Sequence, residues 1–140
     1  MRLEVKGRVF SGMGKGRYYV GHPEYQRRFR ECLGYRPYPG TLNIKLEDDD
    51  LIADLKQMRT MGGVRVDSFV RDGEPFSALN CFNGKMNGQM VTLLFIDVTF
   101  YNESVAELIS PVFLRDKFGL KDGDAVSFSV EAPDSTLGKQ

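Results

Sequence analysis

Residues 64–96 read VRVDSFVRDGEPFSALNCFNGKMNGQMVTLLFI, and the fold is decided here. Short apolar runs rich in Val, Phe and Leu are broken by Arg71-Asp72-Gly73-Glu74-Pro75, by Asn83-Gly84 and by Asn87-Gly88. Asp-Gly and Asn-Gly pairs tolerate positive φ at both central positions of a tight turn, so the stretch is read as successive antiparallel strands. None of its apolar runs has the length or the 3.6-residue period of a helix.

The flanks extend this pattern. Toward the N-terminus, Thr41 to Leu46 alternates, and residues 2–9 alternate strictly, with Leu3, Val5, Gly7 and Val9 opposite Arg2, Glu4, Lys6 and Arg8. Such a period of two marks a half-buried strand. Tyr18-Tyr19-Val20, rich in β-favouring side chains, is expected to be a second extended piece. Helical spacing occurs in three short places. Tyr25, Phe29, Cys32 and Leu33 lie between Pro23 and Gly34, a brief pattern ends near Met58, and Val112 to Phe118 precedes Gly119. Pro suits a first turn, Gly a stop, and the acidic run Glu47-Asp48-Asp49-Asp50 a solvated helix start. After the turn Lys121-Asp122-Gly123-Asp124, the residues Val126, Phe128 and Val130 form a last alternating strand. Many short strands and only small helices predict a mainly β fold. The expected form is a small closed or nearly closed β-barrel, because closure removes exposed edges. One domain over residues 1–132 is expected, with residues 133–140 as a flexible tail without apolar anchors.

Composition narrows the function classes. At 140 residues, 41% hydrophobic and 27% charged, with 10 Phe and 6 Tyr, the chain is neither disordered nor fibrous. Nineteen Lys+Arg balance nineteen Asp+Glu, so no net positive field favours nucleic acid or an anionic membrane. The run from Val91 to Ile96 is too short to cross a bilayer, and Met1-Arg2-Leu3-Glu4 does not open a signal peptide; a cytoplasmic location is expected. Cys32 and Cys81 lack Cys-x-x-Cys spacing and accompany a single His, which excludes a zinc cluster and predicts two buried free thiols.

Three places carry candidate chemistry. Gly12, Gly14 and Gly16 alternate in a loop with Ser11, Lys15 and Arg17, where backbone N–H groups can approach an anion closely. The loop is neither a Walker loop nor a Rossmann fingerprint, since the spacing differs and no helix is expected after it. Thr41 and Asn43, at i and i+2 of a strand, project from one side while Leu42 and Ile44 project from the other. Two neutral oxygens on one face suit magnesium, which takes few protein ligands and fills its shell with water and phosphate. Glu107, between Ala106 and Leu108-Ile109, is a candidate for a partly buried carboxylate that binds a ligand donor. Each also has a structural reading: a flexible turn, side chains bracing a turn, a surface Glu on a strand. His22, just before Pro23 and with no nucleophile signature nearby, is read as structural.

Together these segments resemble the archaeal-type CTP-dependent riboflavin kinases. The resemblance is carried by Ser11 to Tyr19, Leu33 to Asn43, Glu107 to Pro111 with Leu114-Arg115, and Leu120 to Val126, in the family's order. It implies a cradle-loop barrel of about six strands that transfers the γ-phosphate of CTP to the ribityl hydroxyl of riboflavin, giving FMN and CDP. By matching position it implies that Gly12, Met13, Gly14, Lys15, Gly16 and Arg17 hold the nucleotide, with Val112, Phe113, Leu114 and Arg115 on its other side. It assigns Mg2+ to Thr41 and Asn43, and the flavin or its new phosphate to Thr99 and Glu107. Some members carry an N-terminal winged helix; with the first strand at residue 3, no DNA-binding domain is expected, and a monomer is. Leu120 to Val126 also resembles the turn of swapped-hairpin transcription-regulator barrels. That leaves as alternatives a non-enzymatic barrel and a flavin- or nucleotide-binding barrel without transfer activity; a regulator would want a basic face, which this neutral chain lacks.

Overall fold

The computed structural model describes residues 1–97 and 101–132. Thr99 and the expected tail at 133–140 lie outside the described residues. In chain order the elements are β1 (Arg2–Phe10), α1 (Lys15–Val20), α2 (Pro23–Leu33), β2 (Leu42–Lys45), α3 (Asp49–Arg59), β3 (Val64–Val66), β4 (Phe69–Arg71), β5 (Glu74–Phe76), β6 (Leu79–Met86), β7 (Gln89–Ile96), β8 (Val105–Ile109), α4 (Leu114–Phe118) and β9 (Ala125–Glu131).

Strands β6-β7-β8-β2-β1-β9 are hydrogen-bonded in that order, and β9 returns to pair with β6, which closes an antiparallel six-stranded barrel. The expected mainly β barrel with short peripheral helices is therefore present. Strand alternation turns one side chain in two inward. Val5, Val9, Ile44, Phe82, Leu93, Leu108, Phe128 and Val130 fill the interior, joined by Leu55 and Met58 of α3 and Leu114 of α4. The barrel is thus packed, not hollow. A second core lies outside the wall, where Leu79, Cys81, Leu94 and Ile109 are covered by Val20, Tyr25, Phe29, Val66 and Phe76. Fully burying a side chain such as Phe29, 0% exposed, stabilises by roughly 2–3 kcal/mol, so this outer layer is firmly seated.

Local signals explain the helix ends. Pro23 opens α2, the His22 imidazole accepts a hydrogen bond from the Glu24 N–H (3.1 Å), and Gly34 stops the helix at φ 84°. His22 also packs against Phe76, with ring centroids 4.6 Å apart, in keeping with its structural reading. The Asp48 carboxylate caps α3 by accepting from Asp50 and Leu51 N–H groups, so the acidic run is a helix start as expected. Gly119, at φ 62°, ends α4.

Three expectations are corrected. Tyr18-Tyr19-Val20 is helical, not extended, so a helix does follow the glycine loop: Gly14 at φ 79° turns the chain into α1, and Val20 docks in the outer core. This is tertiary packing overriding β propensity. Asn83-Gly84 is no turn but lies within β6, whereas Asp72-Gly73 and Asn87-Gly88 do turn, each with positive φ at both residues. Gly84 stands where β9 crosses β6, and a Cβ there would sit 1.9 Å from the Ser129 carbonyl oxygen. Cys32 is exposed; only Cys81 is a buried free thiol.

Barrel closure is accordingly sensitive to one atom. Gly84→Ala is expected to cost about 1–3 kcal/mol, toward the upper end because the obstacle is backbone, and to lower the melting temperature by several degrees. An unchanged melting temperature would show that β9 is not held against β6 at this point.

Candidate functional site

A single cross-strand row positions the site. Phe10 opposes Asn43, Asn43 opposes Glu107, Glu107 opposes Leu94, Leu94 opposes Cys81, and Cys81 opposes Val64. Directly opposed residues of an antiparallel pair share a face. Because the neighbours Leu42, Ile44, Leu108 and Leu93 point into the barrel, the whole row points out of it. Above it, between the wall and the layer formed by α1, α2 and β4–β5, is a pocket of about 960 Å³. That volume suits a sizeable organic ligand.

The pocket has two unlike halves. One is polar, with the loop from Gly12 to Arg17, Thr41, Asn43, Glu107 and Arg115; the other is mainly apolar, walled by Tyr25, Phe29, Phe76, Leu79, Leu94 and Ile96, and also carries the Arg65–Asp97 ion pair (2.8 Å). In the polar half the glycines lie hard against the oxygen pair. A Cβ on Gly12 would come within 2.4 Å of the Asn43 amide nitrogen, and one on Gly16 within 2.7 Å of Thr41 Oγ1. The loop is therefore laid directly over Thr41 and Asn43, which explains the residue type at both positions. Its entry is pinned from below: Ser11 Oγ donates to Asp122 (2.8 Å), and the Arg115 guanidinium donates to Asp122 (2.9 Å) and to the Phe10 carbonyl (3.2 Å). These bonds, Ser11 first, lower the Asp122 pKa. The Met13 N–H donates to the Tyr101 hydroxyl (2.9 Å).

Thr41 Oγ1 donates to Asn43 Oδ1 at 2.9 Å, and Asn43 is 8% exposed. Their separation matches the ~3.0 Å edge of an octahedron with bonds of ~2.1 Å, the shell a small hard divalent cation prefers. The donor set agrees: among the described residues no three His, Cys, Asp or Glu gather, so a cation here would share its shell with water and phosphate. Across the strand gap Glu107 has no hydrogen-bond partner among the described residues. Burial pushes its carboxyl up to about 7.

Of the positions singled out in the sequence, Gly12, Met13, Gly14, Lys15, Gly16, Arg17, Thr41, Asn43, Glu107, Phe113 and Arg115 all line this pocket. Val112 and Leu114 do not; with Phe113 they border an adjoining recess of about 50 Å³, and Leu114 is buried in the interior core. The structure adds Tyr38 and Tyr101 to the lining, and Asp122 as the partner of Ser11. Tyr38 stacks on Phe113, 4.7 Å between centroids and 13° between planes, at the open end of the pocket. The signal available in the sequence is an aromatic set between two prolines in the turn Tyr35-Arg36-Pro37-Tyr38-Pro39-Gly40. No described helix is long and apolar enough to cross a membrane.

Comparison with known proteins agrees with this geometry. Residues 9–130 match the family model CTP-dep_RFKase, described as a domain of unknown function (DUF120), and the chain belongs to that family. It is 39% identical over 128 residues to the riboflavin kinase of Archaeoglobus fulgidus, covering 91% of this chain and 54% of that protein. It is 40% identical over 130 residues to the riboflavin kinase of Methanosarcina acetivorans (92% and 54%). With the riboflavin kinase of Thermofilum pendens it shares 40% over 133 residues (91% and 59%). The chain spans just over half the length of these curated relatives. The resemblance seen in the motifs thus extends along most of the chain.

The raised carboxyl has a consequence for stability. Between its ordinary value of 4.5 and about 7, Glu107 of the folded protein holds a proton that the unfolded chain releases. Stability therefore falls as pH rises through that window and levels off above it. A glutamine carries no such proton. The melting temperature of Glu107→Gln relative to wild type, both without ligand, is expected to climb from about pH 4.5 to about pH 8. A difference that stays flat with pH would mean that Glu107 ionises as freely as in the unfolded chain.

Proposed function

We propose that this chain is a CTP-dependent riboflavin kinase that transfers the γ-phosphate of CTP to the terminal ribityl hydroxyl of riboflavin, giving FMN and CDP. One observation carries the reading: a glycine loop, an oxygen pair and a carboxylate form one end of a pocket whose other end is mainly aromatic and aliphatic. The apolar half fits a tricyclic ring and the polar half fits phosphates, with Asn43 and Glu107 at the junction where the polyol chain would end. The family's name and the curated relatives point the same way. In this reading residues 1–132 are the working domain, acting as a monomer in the cytoplasm.

The hydroxyl oxygen bonds to the γ-phosphorus as the bond to the β–γ bridging oxygen breaks, and CDP leaves with that electron pair. Glu107, near neutrality in its pKa, accepts the hydroxyl proton. The backbone from Gly12 to Arg17 and, from the segment Val112 to Arg115, the pocket-lining Phe113 and Arg115 hold the nucleotide, while Thr99 and Glu107 contact the flavin or its new phosphate. Thr41 Oγ1 and Asn43 Oδ1 would hold Mg2+, which when bound neutralises charge on the phosphates. Such transfers depend on positioning and charge neutralisation more than on covalent chemistry, which suits a wall of neutral oxygens and backbone N–H groups. The exposed Tyr38–Phe113 stack offers an aromatic face to the nucleotide base.

Purified protein incubated with riboflavin, Mg2+ and each of the four nucleoside triphosphates is expected to form FMN best with CTP, read by chromatography. Equal or faster turnover with ATP would overturn the donor assignment, and no FMN with any donor would overturn the kinase. Asn43→Leu removes one oxygen without disturbing Leu42 and Ile44, which face the interior. It should cost about 2–4 kcal/mol of transition-state stabilisation, roughly 30- to 1000-fold in rate, while riboflavin still binds. A destabilised variant with normal magnesium-dependent turnover would assign Asn43 to bracing the turn instead.

A further inference from the structure

The apolar half of the pocket is walled by a piece that does not belong to the barrel. Strands β4 and β5 form a two-stranded sheet of their own, with Pro75, Phe76 and Ser77 facing the pocket. Alone, so short a hairpin is unstable in water. It stands because α2 grips it. Arg71 donates to the buried Glu24 carboxylate (3.2 Å), the Tyr25 hydroxyl donates to the Ser77 carbonyl (2.5 Å), and the Arg28 guanidinium lies 4.6 Å from the Phe69 ring centroid.

A further contact comes from the opposite half of the site. Gly16 and Arg17 belong at once to the glycine loop and to α1, so the loop cannot shift without moving that helix. On the next residue, the Tyr18 hydroxyl donates to Glu74 Oε1 at 2.5 Å. Glu74 adjoins Pro75 and Phe76, and the rings of Tyr18 and Tyr19 lie 6.4 and 5.8 Å from that of Phe76. A continuous path of side chains therefore leads from the loop that would hold phosphates to the wall that would hold a ring.

We propose that Tyr18 and Glu74 are positioning residues that couple the two halves of the pocket, so that a nucleotide seated on the glycine loop tightens the hairpin around the flavin and the flavin tightens the loop around the nucleotide. The idea rests on the kinase reading, in which both ligands share this pocket. Its physical basis is that the Tyr18–Glu74 bond ties α1 to the hairpin, so restricting the motion left to them costs conformational entropy once, and whichever ligand binds first bears it for the second. Coupling of this kind is reciprocal and commonly amounts to 5- to 150-fold in affinity. A bond at the surface between two short elements places the effect near the lower end, about tenfold.

The test measures riboflavin affinity by quenching of its fluorescence, with and without saturating CDP and Mg2+, so that no turnover intervenes. For wild type, CDP is expected to lower the riboflavin Kd about tenfold. In Tyr18→Phe, which keeps the ring contacts and loses the hydroxyl, that factor should drop to less than half the wild-type value. Glu74→Gln keeps an acceptor for Tyr18 and should keep the factor, whereas Glu74→Ala should lose it and serves equally if Tyr18→Phe does not fold. A ratio of affinities is not moved by stability alone. A Tyr18→Phe factor at half the wild-type value or above would overturn the coupling, as would FMN formation by a wild type whose riboflavin affinity ignores CDP. Failure of wild type to bind riboflavin would overturn the kinase reading and this proposal with it.

Discussion

Closure of the barrel where β9 meets β6 at Gly84 is the constraint from which the rest follows. Six strands that close on themselves have one interior, and it is filled by every second side chain of each strand. The remaining side chains must face outward, and no freedom is left to slip a strand by one residue, because that would expose its whole buried set. Asn43 and Glu107 are thereby fixed on the outside, opposed across β2 and β8. A functional wall results without any strain or special backbone at those two residues.

An outward-facing row is a site only if something covers it. The cover is assembled from elements too short to persist alone: α1, α2 and the β4–β5 hairpin. Its seam is electrostatic as well as apolar. Glu24, 8% exposed, accepts from Arg27 (2.5 Å), Arg28 (2.7 Å) and Arg71 (3.2 Å), and the first two bonds hold its carboxyl down at about 2. Arg27 and Arg28 lie on α2 with Glu24 and hold its carboxylate in place, and Arg71 of the hairpin reaches that same carboxylate, so one ion pair to a pre-positioned partner crosses the seam. The pocket is the space left between this cover and the wall.

Periodicity made much of this legible in the sequence. The alternation in β1 and β9, the Pro23 to Gly34 helix and the shared face of Thr41 and Asn43 all stand as read, because each is a local pattern that the fold merely uses. What stayed hidden depends on partners distant in the chain. Tyr18 to Val20 form a helix because the outer core accepts Val20 there, and nothing within the segment says so. Asn83-Gly84 carries the composition of a turn, yet its glycine answers to a β9 carbonyl more than forty residues later. Cys32, spaced for the apolar face of α2, ends at the surface, with its thiol against the Arg65 carbonyl, while Tyr25 and Phe29 of the same helix are buried in the outer core. Tyr101 carries no motif, and Asp122 sits in a recognisable turn whose composition does not point to the site; their role exists only where the chain brings them to Met13 and Ser11.

The choice of an amide at position 43 ties the charge balance of the site together. Glu107 already ionises with difficulty because it is desolvated. An aspartate directly opposite would add a like charge about 5 Å away, pushing the pair higher still and setting two carboxylates against incoming phosphates. With Asn43 and Thr41 the wall offers oxygen ligands while contributing no charge. Under the kinase reading Glu107 would exchange a proton near neutrality, and the positive charge that phosphates require would come from a bound cation and from Lys15, Arg17 and Arg115, which line the pocket. On that reading a neutral protein would hold a highly charged ligand because the compensation is concentrated in one pocket and not spread over the surface.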